Sequence, residues 1–409
     1  MDKADIAIVI AAFNRPHSLK RLLNSLEISD YSGFINITLY LSIDYSDNHD
    51  CFHIASSFNW IYGKKNILTH KVNLGLRKHI LSCGDLVKHH DAIIVLEDDL
   101  FVSPQYYQYS QAAYNFFKND DRIAGISLYN YRYNEFARCS FEPITDGFDN
   151  YFMQVPSSWG QMWLKSHWNS FTEYLKVESF ENEADLFLPD TVFDWEINRS
   201  WKRSFYKYMV INEKYFVYPR YSLSSNFGDS GTNVFFNYDV FQSNILINKI
   251  DYKFSDLVFS LSVYDSFFEL DEKTFNRITN RNESVSFDLY GLKPLNKVKT
   301  EFLFSIKECN DYSKKFDFRL YPYENNIILN LLAAPSQEVI INYAPKNQFK
   351  KSVGFDRIKI ELKRLFADEN PYIKLGKDEV YKTTSYRIGH AILYPIRWYR
   401  RLFYKKKLH

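Results

Sequence analysis

Residues 91–109 read DAIIVLEDDLFVSPQYYQY, and their pattern sets how the rest of the chain is read. Residues 91–96 are a short apolar run rich in β-branched side chains, long enough for a buried strand and too short for a buried helix. Three carboxylates follow without a break, at Glu97, Asp98 and Asp99, and Ser103-Pro104 then opens a helix predicted over 105–118. The same alternation occurs upstream. Residues 6–10 are an apolar run closed by Ala12-Phe13-Asn14-Arg15-Pro16, and residues 17–26 carry leucines at helical spacing. Residues 35–43 (INITLYLSI) predict a second strand ending at Asp44, and residues 65–70 a third. A helix over 76–90 follows the Asn73-Leu74-Gly75 turn, and residues 123–130 predict a further strand. Strands alternating with helices imply an α/β fold with a doubly wound sheet. Ligands in such sheets bind beyond the carboxyl ends of the strands, where Asn14-Arg15, Asp44 and the acidic triplet all fall.

After residue 130 the pattern turns irregular through Trp159, Trp163 and Trp168, and a polar helix is predicted over 194–208. Trp159 and Trp163, four apart, fit one face of a helix, and Gly160 between them suits a close backbone approach to a ligand. Beyond about residue 235 the periodicity weakens, with strand-like runs at 300–306 and 326–332 between polar loops. A chain of 409 residues has room for a main domain and an appendage. Aromatics make up 18%, including 32 Tyr and 35 Phe, so core packing must absorb most of them even if some rings bind sugar. The net charge of +2 provides no global field for nucleic acid, and no nucleic-acid partner is expected. The four cysteines are scattered without CxxC spacing, which fits free thiols in a reducing, cytoplasmic setting and argues against a zinc site. No run of about twenty apolar residues occurs, so no spanning helix is expected. The apolar start is interrupted by Asp5 and reads as the first strand, a poor signal peptide.

The triplet at 97–99 has a chemistry of its own. A hard divalent cation, Mn2+ or Mg2+, needs anionic oxygens and must keep open positions for the phosphates it bridges, so one or two carboxylates at a strand end are a suitable supply. Side chains alternate along an extended strand, which puts Glu97 and Asp99 on one face and Asp98 on the other. Asp99 is therefore the expected metal ligand, with Glu97 and Asp98 contacting ribose or sugar hydroxyls or holding Asp99 in place. An isolated acidic triplet is more often a solvated loop; the buried strand directly upstream weighs against that reading.

The segment IVLEDDLFVSPQYYQY resembles the DxD-like segment of the GT-A glycosyltransferases, both the N-acetylglucosaminyltransferase I family and bacterial family-two-like transferases. Further stretches agree in order across about residues 6–233: Ala12-Phe13-Asn14-Arg15, Ile43-Asp44, Asn73-Leu74-Gly75-Leu76 and Ser158-Trp159-Gly160-Gln161-Met162-Trp163. Val192-Phe193-Asp194-Trp195-Glu196 and Leu223-Ser224-Ser225-Asn226-Phe227-Gly228 complete the set. The resemblance implies a GT-A (Rossmann-like) doubly wound mixed sheet over 1–235, with a nucleotide-sugar half to about 130 and an acceptor half from 131. An accessory α+β appendage would span 236–375. It implies an inverting hexosyl- or N-acetylhexosaminyltransferase that moves a sugar from a UDP-linked donor to a hydroxyl of a glycan or lipid-linked acceptor. Bacterial surface-polysaccharide or glycoconjugate assembly is the implied setting.

By the same resemblance Ala12, Asn14, Arg15, Asp44, Leu76, His79, Glu97 and Asp98 would contact the donor, with Asp44 accepting from a uracil N–H. Asp99 would hold the metal, and Trp159, Gly160, Phe193 and Trp195 would face the acceptor. Asp194 would be the general base, with Glu196 in reserve, and partial desolvation by Phe193 and Trp195 would improve it. Each residue has a plainer alternative: Arg15 a surface charge, Asp44 a turn former, His79 a satisfied helix histidine, Asp194 a carboxylate at a helix N-terminus. The chain departs from the family at Phe193, often Trp, and at Asn233, near a metal-binding His of some members.

Residues 376–409 form a basic, aromatic tail. Arg397, Arg400, Arg401 and Lys405 to Lys407 alternate with Trp398, Leu402 and Phe403, as in an interfacial helix for an anionic membrane surface. A peripheral place at the inner face of a membrane follows from that reading, and a helix docked on protein is the equal alternative. Two other functions compete with glycosyl transfer. A nucleotidyltransferase would carry a glycine-rich phosphate loop after strand one, which AAFNRPHS is not. A silent sugar-binding protein would tolerate loss of the carboxylates, all of which are present.

Overall fold

The computed structural model describes residues 3–179, 183–230, 240–335 and 340–350. Position 233 and the basic tail over 376–409 lie outside them. All described residues belong to one compact unit, Met1–Arg357.

Nine strands form the main sheet. β1 (Ile6–Ala12) is buried along its whole length and leads through Pro16 into α1 (Pro16–Glu27), whose leucines 19, 22, 23 and 26 pack inward. Proline at the first helical position supplies the φ the helix needs and removes an amide that would lack a partner. β2 (Leu39–Ile43), α2 (Asp50–Ser57), β3 (Lys65–Thr69) and α3 (Gly75–Gly84) follow. β2 is shorter than the apolar pattern predicts, because Asn36 takes a left-handed backbone conformation (φ 58°) and Ile35 is exposed. β4 (Ala92–Glu97) turns directly into β5 (Leu100–Val102), and α4 (Tyr106–Phe117) then covers the sheet.

β6 (Ile123–Ser127) precedes a small hairpin of β7 (Tyr133–Asn134) and β8 (Cys139–Ser140). β9 (Asn150–Met153), β10 (Gln161–Leu164), α5 (Lys165–Val177), α6 (Asp190–Asp194), α7 (Trp201–Ile211), β11 (Tyr215–Pro219) and β12 (Ser224–Asn226) come next. The sheet order is β13-β9-β11-β6-β10-β4-β1-β2-β3, with β13 (Val263–Tyr264) taken from beyond residue 235. β1 runs parallel to β2 and β4, and β10 is antiparallel to both of its neighbours. The architecture is the doubly wound mixed α/β sheet that the alternation and the resemblance led us to expect.

A smaller α+β layer follows, built from α8 (Glu272–Thr279), β14 (Val285–Asp288), β15 (Phe302–Ser305), β16 (Lys314–Phe316), α9 (Glu324–Ile328) and β17 (Ile341–Pro345). Its sheet order is β14-β15-β17-β16.

Three local expectations are corrected. Residues 326–332 are not a strand: their apolar run enters the short helix α9. The predicted helix over 194–208 is two helices, since α6 ends at Asp194 and α7 starts at Trp201 behind the Ser200 cap, whose hydroxyl accepts from the Arg203 amide at 3.1 Å. Trp163 lies in the strand β10 and Trp159 just before it, so the two do not share a helix. Trp163 is fully buried against Trp168, Trp201 and Phe205, where ring burial contributes to the core. Among the described residues no helix is long and apolar enough to cross a membrane.

Candidate active site

The site begins where β4 stops. Asp98 and Asp99 occupy the turn between β4 and β5, not an extended strand, so the alternation of side chains does not apply to them. Instead of pointing apart, the two carboxylates converge on one guanidinium. Arg15, at the carboxyl end of β1, donates from Nη1 to Asp99 Oδ2 at 2.9 Å and from Nη2 to Asp98 Oδ1. The Phe13 amide approaches the other Asp98 oxygen at 3.4 Å. Burial works against the Arg15 charge, yet the two carboxylates hold its pKa above the ordinary arginine value.

Asp98 is 2% exposed with both oxygens engaged, so it braces Arg15 and does not offer itself to ribose or sugar. Burial pushes its carboxyl up to about 6 against the pull of Arg15. Glu97, half-buried beside it, is pushed up to about 8 by burial and by the charge of Asp99, while Arg15 and Lys202 counter the rise. No hydrogen bond from a described residue reaches the Glu97 carboxylate or Asp99 Oδ1.

A second pair of segments closes over this turn. β12 pairs antiparallel with β5, Ser225 opposite Phe101, and the Phe227 amide donates to the Asp99 carbonyl at 3.1 Å. Arg21 of α1 stacks 3.9 Å over the Phe227 ring and pairs with Asp229, which also accepts from Ser18 Oγ at 2.6 Å. Asp229 and Arg21 were not expected from the sequence, because the pairing joins residues 208 apart.

The remaining donor candidates separate. Ala12 is buried at the end of β1, Asn14 is exposed after it, and Leu76 is exposed at the start of α3. Asp44 is buried and accepts from the amides of Tyr45 (2.9 Å), Leu74 (2.9 Å) and Gly75 (3.0 Å). It therefore ties the loop before α3 to the end of β2, and one lone pair on Oδ2 is left for a uracil N–H. His79 is buried against Ser42 Oγ at 2.8 Å, and burial pushes its pKa down to about 4. One ring nitrogen of His79 is thus engaged inside the protein.

Of the residues expected to face an acceptor, Trp159 is half-buried among Tyr129 (4.8 Å between ring centroids), Tyr131 (5.4 Å) and Phe241 (4.6 Å). Gly160 has φ 89°, and a Cβ there would come 3.1 Å from Ser224 Oγ and 3.3 Å from Leu128 Cβ. Backbone conformation and protein packing thus already require glycine here. Phe193 and Trp195 are half-buried, but Asp194 between them is exposed, so the expected desolvation is not present. Asp194 closes α6 at its C-terminal end, which also removes the helix N-terminus alternative. Glu196 is exposed and paired with Arg199 at 3.3 Å.

Lys202 connects the two halves. It is nine-tenths buried on α7, bound to Glu135 Oε1 at 3.0 Å, and lies 5.3 Å from the Trp159 ring and 5.6 Å from the Trp195 ring. Its charge reaches Glu97. Sequence reasoning missed it, although three cations in the aromatic stretch WKRSFYKYM were a signal: a helix buried on every side must pair its charges inside.

For a divalent metal, no three His, Cys, Asp or Glu side chains among the described residues form a closed set of ligands. The donor chemistry nonetheless fits a cation shared with a phosphate ligand. Asp99 Oδ1 and the Glu97 carboxylate are hard oxygens without protein partners, whereas Asp98 and Asp44 are largely taken.

The fold and the site define a doubly wound α/β domain with a carboxylate and guanidinium cluster at the carboxyl edge of its parallel strands. Among solved structures, the chain is similar to a mannosyltransferase from Pyrobaculum calidifontis in complex with GDP-Man and Mn2+, at 9% identity. That match covers 43% of this chain and 47% of the other, with a TM-score of 0.30. It is also similar to S. aureus TarS 1-349 in complex with UDP-GlcNAc, at 10% identity over 56% of this chain and 60% of that one, with a TM-score of 0.36. The UDP complex of TarS 1-349 gives 10% identity over 54% and 59%, with a TM-score of 0.35. The chain thus spans about half to three fifths of the length of these structures. No family model and no curated protein matches the chain.

Proposed function

We propose that the chain is an inverting glycosyltransferase that takes a UDP-linked sugar to a hydroxyl of a glycan or lipid-linked acceptor. The observation that carries this reading is the Arg15, Asp98 and Asp99 cluster at the turn after β4, with Asp99 Oδ1 and Glu97 unclaimed beside it. A cation and free carboxylate oxygens at the carboxyl edge of parallel strands suit a metal-bound diphosphate. Asp99 would hold the Mn2+ or Mg2+, with Glu97 close by, and the bound ion would supply positive charge to the leaving diphosphate.

Arg15 stabilises negative charge that grows on the leaving group, and Asp98 keeps its guanidinium aimed. Trp159 and Trp195 flank Lys202 and offer two indole faces to a sugar ring. Asp194 accepts the acceptor hydroxyl's proton as that oxygen attacks the anomeric carbon from the side opposite the nucleotide. Its exposure fits a base that meets a large acceptor from solvent. Glu196 is the weaker candidate because Arg199 already pairs with it.

A panel of nucleotide sugars, each with and without Mn2+, tests the reading by thermal shift. A bound donor at about a hundredfold above its Kd should raise the melting temperature by several degrees. The reading fails if no nucleotide sugar shifts the transition under either condition. The peripheral inner-membrane setting and surface-polysaccharide assembly belong to the same proposal. Liposome flotation with and without residues 381–409 tests the membrane part, which equal binding of both forms would remove.

A further inference from the structure

The loop that carries Asp194 is held from behind. α6 is five residues long and the chain is extended at Trp195, so neither hydrogen bonding along a long helix nor a sheet ladder fixes residues 193–196. What does reach them is Arg203, nine-tenths buried on α7. Its Nη1 donates to the Phe193 carbonyl at 2.8 Å and to the Trp195 carbonyl, the oxygens of the residues before and after Asp194. Its Nη2 pairs with Glu183 Oε2, and the other Glu183 oxygen lies 2.7 Å from Lys207 Nζ.

The chain of charges continues to the main site. Lys207 also meets Glu178 at 3.1 Å, Glu178 accepts from Ser204 Oγ at 2.9 Å, and Ser204 Oγ receives Arg77 Nη1 of α3 at 2.8 Å. α3 begins at Gly75, whose amide is tied to Asp44 at the end of β2. Hydrogen bonds and ion pairs thus run from the carboxyl edge of the sheet to the backbone around Asp194.

We propose that Arg203 is a positioning residue for Asp194, a role that rests on Asp194 being the base. A planar guanidinium can hold two carbonyls and one carboxylate at once in fixed directions, which an ammonium cannot reproduce. Holding the 193–194 and 195–196 peptides on one guanidinium fixes the distance across Asp194 and Trp195, which limits the ways the segment can turn and so the direction in which the Asp194 carboxylate leaves it. Misplacing a reacting group by about 1 Å costs roughly 100-fold in rate, so the clamp acts on turnover more than on donor affinity.

The test compares R203K, R203A, D194N and the D194N/R203A pair in the full chain. The assay reads UDP release from the UDP-sugar that gives the largest thermal shift, and hydrogen exchange of residues 193–196 gives a readout independent of substrate. R203K and R203A should exchange faster at 193–196 and lose about 10- to 100-fold in kcat. KM for the donor should stay within about twofold, since uniform binding is untouched. Methylguanidine should restore part of the R203A rate, and R203A should add nothing further to D194N. If R203A does not fold, R203K carries the exchange and kcat comparison alone. Unchanged exchange at 193–196 in R203K, or wild-type kcat in a folded Arg203 variant while D194N is inactive, overturns the Arg203 role and leaves the base intact. Full activity of D194N overturns the base itself, and with it the role of Arg203.

Discussion

Two clusters of carboxylates and cations in this protein look alike in composition and differ in what they leave unpaired. At the carboxyl edge of the main sheet, Asp98 and Asp99 share Arg15, while the Glu97 carboxylate and Asp99 Oδ1 have no partner among the described residues. In the smaller α+β layer, Asp288 is fully buried and meets Lys307 Nζ at 2.6 Å, and Lys293 Nζ meets Asp265 at 2.5 Å. Lys307 also donates to the Lys293 carbonyl at 2.6 Å, and Glu269, fully buried, accepts from the Tyr290 amide at 2.7 Å. Burial pushes Glu269 well above the usual carboxylate range. The first cluster leaves three carboxylate oxygens without a hydrogen-bond partner among the described residues. In the second, each cation has a carboxylate partner, Lys307 with Asp288 and Lys293 with Asp265, and the buried Glu269 Oε2 is left without a hydrogen-bond partner. Ionisable residues, and even one unclaimed oxygen, therefore do not alone mark a site; what distinguishes the first cluster is that its unclaimed oxygens belong to adjacent carboxylates gathered around one guanidinium at the carboxyl edge of the main sheet.

The largest effect that would sharpen this contrast is expected at the exposed carboxylate proposed as the base. Asp194→Asn should lower transfer by about 100- to 10,000-fold, the range for a general base, with the melting temperature unchanged. Wild-type transfer rates would break the assignment. In the second cluster the balance should reverse: Lys307→Met leaves Asp288 buried without its cation and should cost about 3–5 kcal/mol of stability. Denaturant titration reads that loss, and a shift below about 1 kcal/mol would mean that Asp288 does not depend on Lys307.

Asp99→Ala should fall between these, weakening Mn2+-dependent donor binding by about 10- to 100-fold, as loss of a charged contact does. Calorimetry with and without Mn2+ checks it, and equal weakening in both conditions would separate Asp99 from the metal. The smallest effect concerns acid stability. Hydrogen bonds from Lys207 and Arg203 outweigh burial and hold Glu183 below the usual glutamate pKa. Its contribution is full above the unfolded glutamate pKa and is lost as pH falls through the depressed one. Glu183→Gln should therefore give a shallower acid limb in the melting temperature, and an identical limb would show that the pair contributes nothing.

Much of the frame was legible from local pattern. The runs at 6–12 and 92–97 are strands because nearly unbroken β-branched and apolar residues suit a strand buried on both faces, while the half-buried run at 65–69 forms the edge strand. α1 and α4 begin within a residue or two of where proline and serine place them. Where a run was short and bordered by loops, as at 326–332, periodicity could not tell strand from helix.

Sequence by itself determined the alternation of strands and helices, and so the edge at which Arg15, Asp44 and residues 97–99 gather, because hydrophobic period and turn residues act over a few neighbours. Tertiary structure alone decided how the gathered groups divide their work. Asp98 and Asp99 converge in a turn, Asp44 ties two loops together, His79 bonds Ser42, and Lys202, Arg203 and Asp229 enter from distant segments. Pairing of charges depends on burial and distance in space, and neither can be read from a position's neighbours in the chain.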